Sequence, residues 1–228
     1  MIDSLNPMLD LSLHRTDFGI RLQSAKNLVV AGEVSVGTTG DISRETRGLA
    51  IVLVFAAYEN LLKKIVTSVL EQVAGSKAGN GRLKPGFKVV AASSKIQGLL
   101  NSNRKHLWTG KGQELMELAT SGRHLSIQTT VFPSDGSFMK RSQISTVCDL
   151  FHLGDPSVPL YGIWDDINGI VRYRNAIAHG EQRADEVGRN YSYQETLDLI
   201  DDWSRCWNAF IDWIEIQCTT SAYFLLPR

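Results

Sequence analysis

Apolar side chains recur at helical spacing in four stretches of the chain, and each stretch predicts an α-helix. The first runs from about residue 7 to residue 31. Asn6 can cap this helix, and Pro7 suits its first turn because the N–H at that position has no partner inside a helix. A break that contains three glycines follows at residues 32–40 and ends the helix in a loop.

The second stretch, residues 42–74, has the most regular pattern, and Asp41 or Ser43 can serve as its N-cap. Its length of about 33 residues corresponds to roughly 50 Å, which suits the spine of a helical bundle. The most apolar run of the chain, residues 49–58, lies inside it. Ten residues are too few to cross roughly 30 Å of hydrocarbon, so this run predicts a buried helix and not a membrane span.

Two further helices are predicted at residues 160–178 and 192–217. Ser192 and Glu195 have the spacing of a capping box at the start of the last helix. An apolar stripe on that helix is either bundle core or a dimer surface, and it comprises Trp203, Trp207, Phe210 and Ile214.

The segment at residues 82–141 separates the second and third long helices. It predicts two short helices, residues 88–100 and 113–120, then a strand at 125–132 and a turn at 133–136. The expected fold class is therefore all-α: a bundle of four or five helices with an inserted segment.

The charges are distributed unevenly along this single predicted domain, residues 1–228. The whole chain has 24 basic and 24 acidic residues, a net charge of zero, which argues against a surface that binds nucleic acid everywhere. Residues 82–141 carry ten basic and three acidic side chains, whereas residues 142–228 carry six basic and thirteen acidic. The neutral chain is thus dipolar, with a basic insertion and an acidic C-terminal half.

The remaining composition points to an ordinary cytoplasmic protein. The N-terminus has no pattern of a secretory signal, and no membrane association is predicted. Three cysteines without a CxxC spacing predict reduced and mostly buried thiols. The histidines fit no metal-ligand spacing, so neither a metal site nor a cofactor is predicted.

The residues that carry candidate chemistry lie at the end of the third predicted helix. An apolar helix there reaches Arg174 and Asn175 and then ends at His179, with Gly180 where a helix C-cap is expected. His179 is therefore expected at a helix terminus, partly exposed. Asn175 lies four residues before His179 on one helix face and can orient the imidazole. Arg174 is about 140° away from His179 around the helix, so a second copy across a two-fold axis helps the two to converge.

This pattern resembles a known family. The string Arg174-Asn175-x-x-x-His179 at a helix end is similar to the R-x4-H signature of HEPN-domain ribonucleases, and Ala178-His179-Gly180 resembles their RiboL-PSP branch. Residues 148–154 resemble the short helix and turn that precede the motif in that branch. Glu59 corresponds to an acidic position that such domains place near the site. The resemblance covers roughly residues 42–75 and 145–215.

The resemblance implies metal-independent RNA cleavage at a homodimer interface, in a toxin–antitoxin or phage-defence setting with an antitoxin or defence partner. Imidazole has an ordinary pKa of about 6.5, so His179 can take the 2′-OH proton or protonate the leaving oxygen. Arg174 would stabilise the phosphorane, Asn175 would hold His179 or a phosphate oxygen, and Glu59 would orient Arg174 or polarise His179. In one branch a Tyr two residues after the His is modified by a partner enzyme; Glu181 stands there in this chain.

The basic insertion supplies candidate RNA contacts. Arg104, Lys105 and Lys111 cluster near Trp108, where cations can follow phosphates and the indole can stack on unpaired bases. Arg172 is a further candidate contact. The insertion either folds over the site or pairs with the acidic half of the chain. Two other functions stay open: a HEPN-like module that binds RNA or nucleotides without cleavage, and an assembly protein whose acidic half docks a basic partner.

Overall fold

A computed structural model of the protein describes residues 9–34, 40–103, 105–124, 127, 129, 139–218 and 223–225. Over these residues the fold is an all-α bundle, as predicted. The helices are α1 (Ser12–Val34), α2 (Gly40–Gly75), α3 (Pro85–Ala91), α4 (Ser93–Leu100), α5 (Lys105–Trp108), α6 (Lys111–Thr120), α7 (Arg141–Phe151), α8 (Ile167–Ala178), α9 (Ala184–Gly188) and α10 (Tyr193–Gln217). A 3₁₀ turn, Asn80–Arg82, follows α2. Within the described residues, no helix is both long and apolar enough to span a membrane.

The body of the bundle is built on the spine helix α2, against which α1, α8, α9 and α10 all pack. Its centre is aromatic. The Tyr58 ring stacks on Trp207 with ring centroids 5.4 Å apart, and Trp207 meets Phe210 edge-on at 5.2 Å. These rings are fully buried, and so is Trp203. The apolar stripe of α10 is therefore bundle core and not a dimer surface.

The last helix starts as its sequence predicts. The Ser192 hydroxyl accepts a hydrogen bond from the Glu195 N–H, and the Glu195 carboxylate accepts one from the Ser192 N–H at 2.7 Å. Both bonds satisfy N–H groups that the helix itself leaves without partners. The cysteines also agree with prediction, since Cys148, Cys206 and Cys218 are all buried and none forms a disulfide.

Several predicted helix ends were wrong. The helix predicted from residue 160 begins at Ile167, and residues 160–166 form turns in which the Ile163 N–H donates to the Leu160 carbonyl. The first helix begins at Ser12 instead of residue 7; Asn6 and Pro7 lie outside the described residues.

Two further predictions about helix ends differ from the structure. The helix predicted at residues 88–100 breaks at Ala92 into α3 and α4. Ser43 lies inside α2 instead of capping it, and its hydroxyl donates to Glu33 and accepts from Arg47, each at 2.6 Å. The predicted turn and most of the predicted strand of the insertion fall outside the described residues.

The inserted helices α3–α6 pack at the C-terminal end of α2, against the 3₁₀ turn and α7. The Phe87 ring stacks on Phe151 with centroids 5.3 Å apart, and the Tyr223 ring contacts Phe87 edge-on. The Lys84 N–H donates to the Tyr223 carbonyl at 2.8 Å. These contacts fix the start of the insertion against α7 and the C-terminal segment.

Candidate active site at the end of α8

A tight glycine turn ends α8 and carries His179. The His179 N–H donates to the Asn175 carbonyl at 2.9 Å, and the Glu181 N–H donates back to the Ala176 carbonyl at 2.8 Å. Gly180 lies between them with φ of +72°, a conformation that costs a residue without a side chain little. The imidazole of His179 is exposed. The predicted position of His179, at a helix terminus and open to solvent, is confirmed.

Arg174 lies on the side of α8 that faces α2. Its guanidinium carbon is 4.7 Å from the centroid of the Phe55 ring, and its Nη1 donates to Asn175 Oδ1 at 2.9 Å. A cation over an aromatic face is attracted by the ring quadrupole, and the amide fixes the rotation of the planar group. Arg174 is thus held in place before any ligand arrives. The sequence analysis did not identify Phe55 as its partner.

The two predicted supporting residues adopt other partners in the single chain. Asn175 accepts from Arg174, so its amide oxygen holds the guanidinium instead of the imidazole. Glu59 Oε1 is 2.6 Å from Lys63 Nζ, and the Glu59 side chain is only 16% exposed. The structure therefore places Glu59 in an ion pair one turn along α2.

Tyr58 lies close to both Glu59 and Arg174. Burial raises the pKa of the Tyr58 hydroxyl, the negative charge of Glu59 raises it further, and the positive charge of Arg174 opposes the shift. Tyr58 donates to the Met139 carbonyl at 3.3 Å. A neutral, buried phenol thus lies beside the proposed site.

Arg174 and His179 do not meet within one chain. Five helical residues separate them by about 140°, so Arg174 faces α2 while His179 faces solvent. Arg172 precedes His179 by seven residues, which brings the two onto nearly the same side of α8. Arg172 is exposed, and its guanidinium carbon is 5.0 Å from the centroid of the Tyr173 ring. A single chain therefore presents His179 with Arg172 on one side and holds Arg174 on another.

The short helix α9 clamps the turn of His179 to α2. An ideal Cβ at Gly48 would lie 1.9 Å from the Ala184 carbonyl oxygen, and one at Gly188 would lie 1.8 Å from the Arg44 carbonyl oxygen. Two helix backbones approach this closely only where a glycine omits the Cβ at the contact. The glycine between Arg47 and Leu49, inside an otherwise regular helical pattern, was a usable signal for this contact.

A buried carboxylate reinforces the clamp. The Asp185 side chain is 7% exposed, and it accepts from Arg183 Nε at 2.9 Å and from Arg189 Nη2 at 3.5 Å. A buried charge needs such partners, because removing it from water is costly. The segment that follows His179 is therefore held both by the packing of α9 on α2 and by the ion pairs of Asp185 with Arg183 and Arg189.

Two grooves flank the turn of His179. The groove on the α2 side has a volume of about 310 Å³ and is lined by Glu45, Ile177, Gln182, Arg183, Ala184 and Asp185. The groove on the other side, here called the Tyr173 groove, has a volume of about 520 Å³ and is lined by Arg172, Tyr173, Ala176, Glu181, Gln182 and Asn190.

The two ends of the basic insertion have different neighbours. Lys105 and Lys111 are exposed, and the indole of Trp108 is 76% exposed. They follow α3, which packs against the 3₁₀ turn after α2 and against α7. At the other end of the insertion, the Met139 carbonyl accepts from the Tyr58 hydroxyl beside the proposed site, and the Arg141 N–H donates to Asn168 Oδ1 in α8. Arg104 lies outside the described residues.

No group of three or more His, Cys, Asp or Glu side chains is arranged to hold a metal ion, as far as the described residues go.

Comparison with known protein families gives a match over most of the chain. The family model for RiboL-PSP-HEPN matches residues 22–215, which include helices α2 to α9 and α10 up to residue 215. Comparison with curated proteins and with solved structures gives no match. The matched range covers most of the chain, including α8, the turn of His179 and the basic insertion. The chain belongs to the RiboL-PSP-HEPN family.

Proposed function

We propose that the protein is a metal-independent endoribonuclease whose site is completed by a second copy of the chain. Its family indicates an RNA-related function, and HEPN domains bind RNA, often dimerise and are often endoribonucleases. The observation that carries the proposal is the end of α8. There, an exposed His179 on a fixed turn follows by five residues Arg174, whose guanidinium is already oriented by Phe55 and Asn175.

The proposed reaction is a transesterification within the RNA. The 2′-oxygen attacks the adjacent phosphorus and loses its proton, while the bond to the 5′-oxygen breaks and that oxygen gains a proton. His179 of one chain takes the first proton, and a second imidazole or the same one supplies the other. The phosphorane carries extra negative charge, and Arg174 stabilises it through its planar pair of N–H donors. No step requires a metal ion.

The separation of Arg174 and His179 in one chain supports a site shared between two chains. Just before the turn that carries Phe55, α2 exposes Leu49 and Leu53, each 37% exposed. Apolar residues at this position suit an interface, and two-fold pairing brings the same surface of both copies together. In such a dimer Arg174 of one copy and His179 of the other face one phosphate.

RNA contacts outside the site would come from Arg172 and from the insertion. Arg104, Lys105 and Lys111 carry part of the positive charge of the insertion, in which Trp108 offers an exposed ring. We further propose that the protein acts as a toxin or phage-defence effector, held in check by an antitoxin or defence partner.

Cleavage of labelled RNA by the purified protein tests the proposal. Arg174→Ala and His179→Asn should each reduce the rate by about 10²–10³-fold, because each removes a group that acts in the transition state. Arg205→Ala and His152→Asn are the matched controls, since both residues are exposed and lie away from the turn of His179. Full activity in either site variant would refute the assignment.

A mixing experiment tests the shared site. Arg174→Ala and His179→Asn protomers each lack one half of a composite site. A mixed dimer regains one intact site of two, so an equilibrated mixture should recover about a quarter of wild-type activity. Recovery of no activity, or a strictly monomeric protein that still cuts RNA, would contradict a site shared between chains.

A second candidate function is RNA binding without cleavage. The orientation of Arg174 toward α2, away from His179, favours it for a protein that stays monomeric. RNA binding that survives in both site variants, together with no cleavage by the wild type, would establish this function instead.

A further inference from the structure

We infer that the Tyr173 groove binds the nucleobase next to the scissile phosphate and sets the cleavage preference. This inference rests on the proposed function, because it assigns the sequence specificity of the same site. The groove is lined by Arg172, Tyr173, Ala176, Glu181, Gln182 and Asn190.

The groove lies directly against the turn of His179. The Ala176 carbonyl accepts from the N–H groups of both Glu181 and Gln182, at 2.8 and 3.1 Å, so the chain after His179 folds back over this residue. Ala176 and Gln182 are both part of the groove wall. His179 is the apex of the turn that forms this wall. A nucleotide seated here therefore has its phosphate within reach of the imidazole.

The side chains of the groove suit the edge of a base. Gln182 and Asn190 are exposed, and neither side-chain amide forms a hydrogen bond to another residue that the structure describes. Each amide offers both a donor and an acceptor, which is what recognition of a base edge requires. Glu181 adds a carboxylate that can accept from an exocyclic amino group. These groups are free to exchange water for a base without breaking a protein contact.

The rest of the wall fixes the orientation of a nucleotide. Arg172 is the one cation lining the groove and is exposed, so the phosphate is expected on its side and away from Glu181. The Tyr173 ring is held between the Arg172 guanidinium and the Tyr191 ring, whose centroid is 6.2 Å away. Burial raises the pKa of Tyr191 to about 12, so this supporting phenol is neutral.

Size and charge distinguish this groove from the one on the α2 side. Its volume of about 520 Å³ lies within the roughly 300–1,000 Å³ of small-molecule sites, and it contains one cation and one anion. The α2-side groove is smaller, about 310 Å³, and its lining carries the carboxylates of Glu45 and Asp185 against one cation, Arg183, which is already paired with Asp185. The Tyr173 groove is therefore the one that suits a nucleotide.

Two variants of exposed residues test the inference. Gln182→Ala and Asn190→Ala remove one amide each, and neither amide supports the fold. The control is Gln194→Ala, an exposed amide on α10 that bonds to Asp198 at 2.8 Å. RNA ends produced by each protein are mapped by sequencing. The ratio between the preferred and other bases at the cut should fall by about three- to tenfold in both test variants, as expected for one lost hydrogen bond. An unchanged ratio would overturn the inference.

A binding measurement separates this inference from the proposed function. Affinities for the four nucleoside monophosphates are measured on His179→Ala protein, alone and combined with Gln182→Ala or Asn190→Ala. Binding that prefers one base and weakens about three- to tenfold in both combinations supports the groove, even if the wild type cuts no RNA. In that case only the ribonuclease proposal fails. Binding that neither substitution affects would refute the groove, whatever the cleavage assay gives.

Discussion

The contact between α2 and α9 predicts opposite effects for one substitution at two glycines. A Cβ added at Gly48 would lie 1.9 Å from the Ala184 carbonyl oxygen, whereas ordinary contacts begin near 3.4 Å. The two helices must therefore separate by about 1.5 Å. Forced overpacking of a well-packed site costs roughly 1–3 kcal/mol, and an overlap with backbone atoms belongs in the upper part of this range, about 2–3 kcal/mol. The better helix propensity of alanine offsets about 1 kcal/mol of this cost. We therefore expect Gly48→Ala to destabilise the protein by about 1–2 kcal/mol.

Gly19→Ala is the matched control, because Gly19 also lies inside a helix but has no atom within 4 Å of an added Cβ. Here only the helix propensity changes, and the protein should gain about 0.5–1 kcal/mol. Denaturant unfolding gives both free energies. In thermal unfolding, Gly48→Ala should lower the midpoint by about 2–8 °C.

The same substitution should also reduce RNA cleavage. A displaced α9 moves the segment that follows His179, and catalysis is sensitive to shifts of this size. Gly19→Ala should leave the rate unchanged, since α1 lies away from the turn of His179. A Gly48→Ala protein as stable and as active as the wild type would show that α9 does not hold this turn in solution.

Three further predictions concern charge and burial. Replacement of Lys105 and Lys111 by Gln should lower the slope of log affinity for single-stranded RNA against log salt by about 0.7 per lost phosphate contact, and an unchanged slope would mean that neither contacts RNA. Hydrogen bonds from Lys64 and Arg21 lower the pKa of Asp17 from 3.8 to about 2. The contribution of Asp17 to stability is therefore complete above pH 4 and is lost as pH falls toward 2. In the Asp17→Asn variant, the free energy of unfolding measured by denaturant should depend less on pH in this range. Burial raises the pKa of Cys148 to about 12. In native protein at pH 8 this thiol should therefore resist alkylation, whereas unfolded protein should be alkylated. Rapid labelling of Cys148 in native protein, detected by mass spectrometry, would contradict its burial.

Elements with strong local signals were predicted well from the sequence. The capping box at Ser192 and the stripe around Trp207 located α10, and Gly180 located the end of α8. Caps and helical spacing are decided within one or two turns, so neighbouring residues suffice to specify them. The start of α8 was missed for a related reason. Leu160, Ile163 and Ile167 are all buried, and consecutive tight turns bury residues at the same spacing as a helix.

The candidate site was only partly predictable. The motif identified Arg174, Asn175 and His179, but it did not indicate which way each side chain points. Arg174 faces Phe55, a residue more than a hundred positions away in the chain. That contact exists only because α8 packs on α2, and local spacing contains no information about it.

The sequence by itself determined the helices, the glycine turn that exposes His179 and the unequal division of charge between the insertion and the C-terminal half. These properties depend on residue type and on neighbours a few positions apart. Only the tertiary structure decided that α9 clamps this turn to α2, that Arg174 lies over Phe55, and that α3 of the basic insertion packs against α7. Each of these depends on which helix faces meet, and that is set by packing over the whole chain.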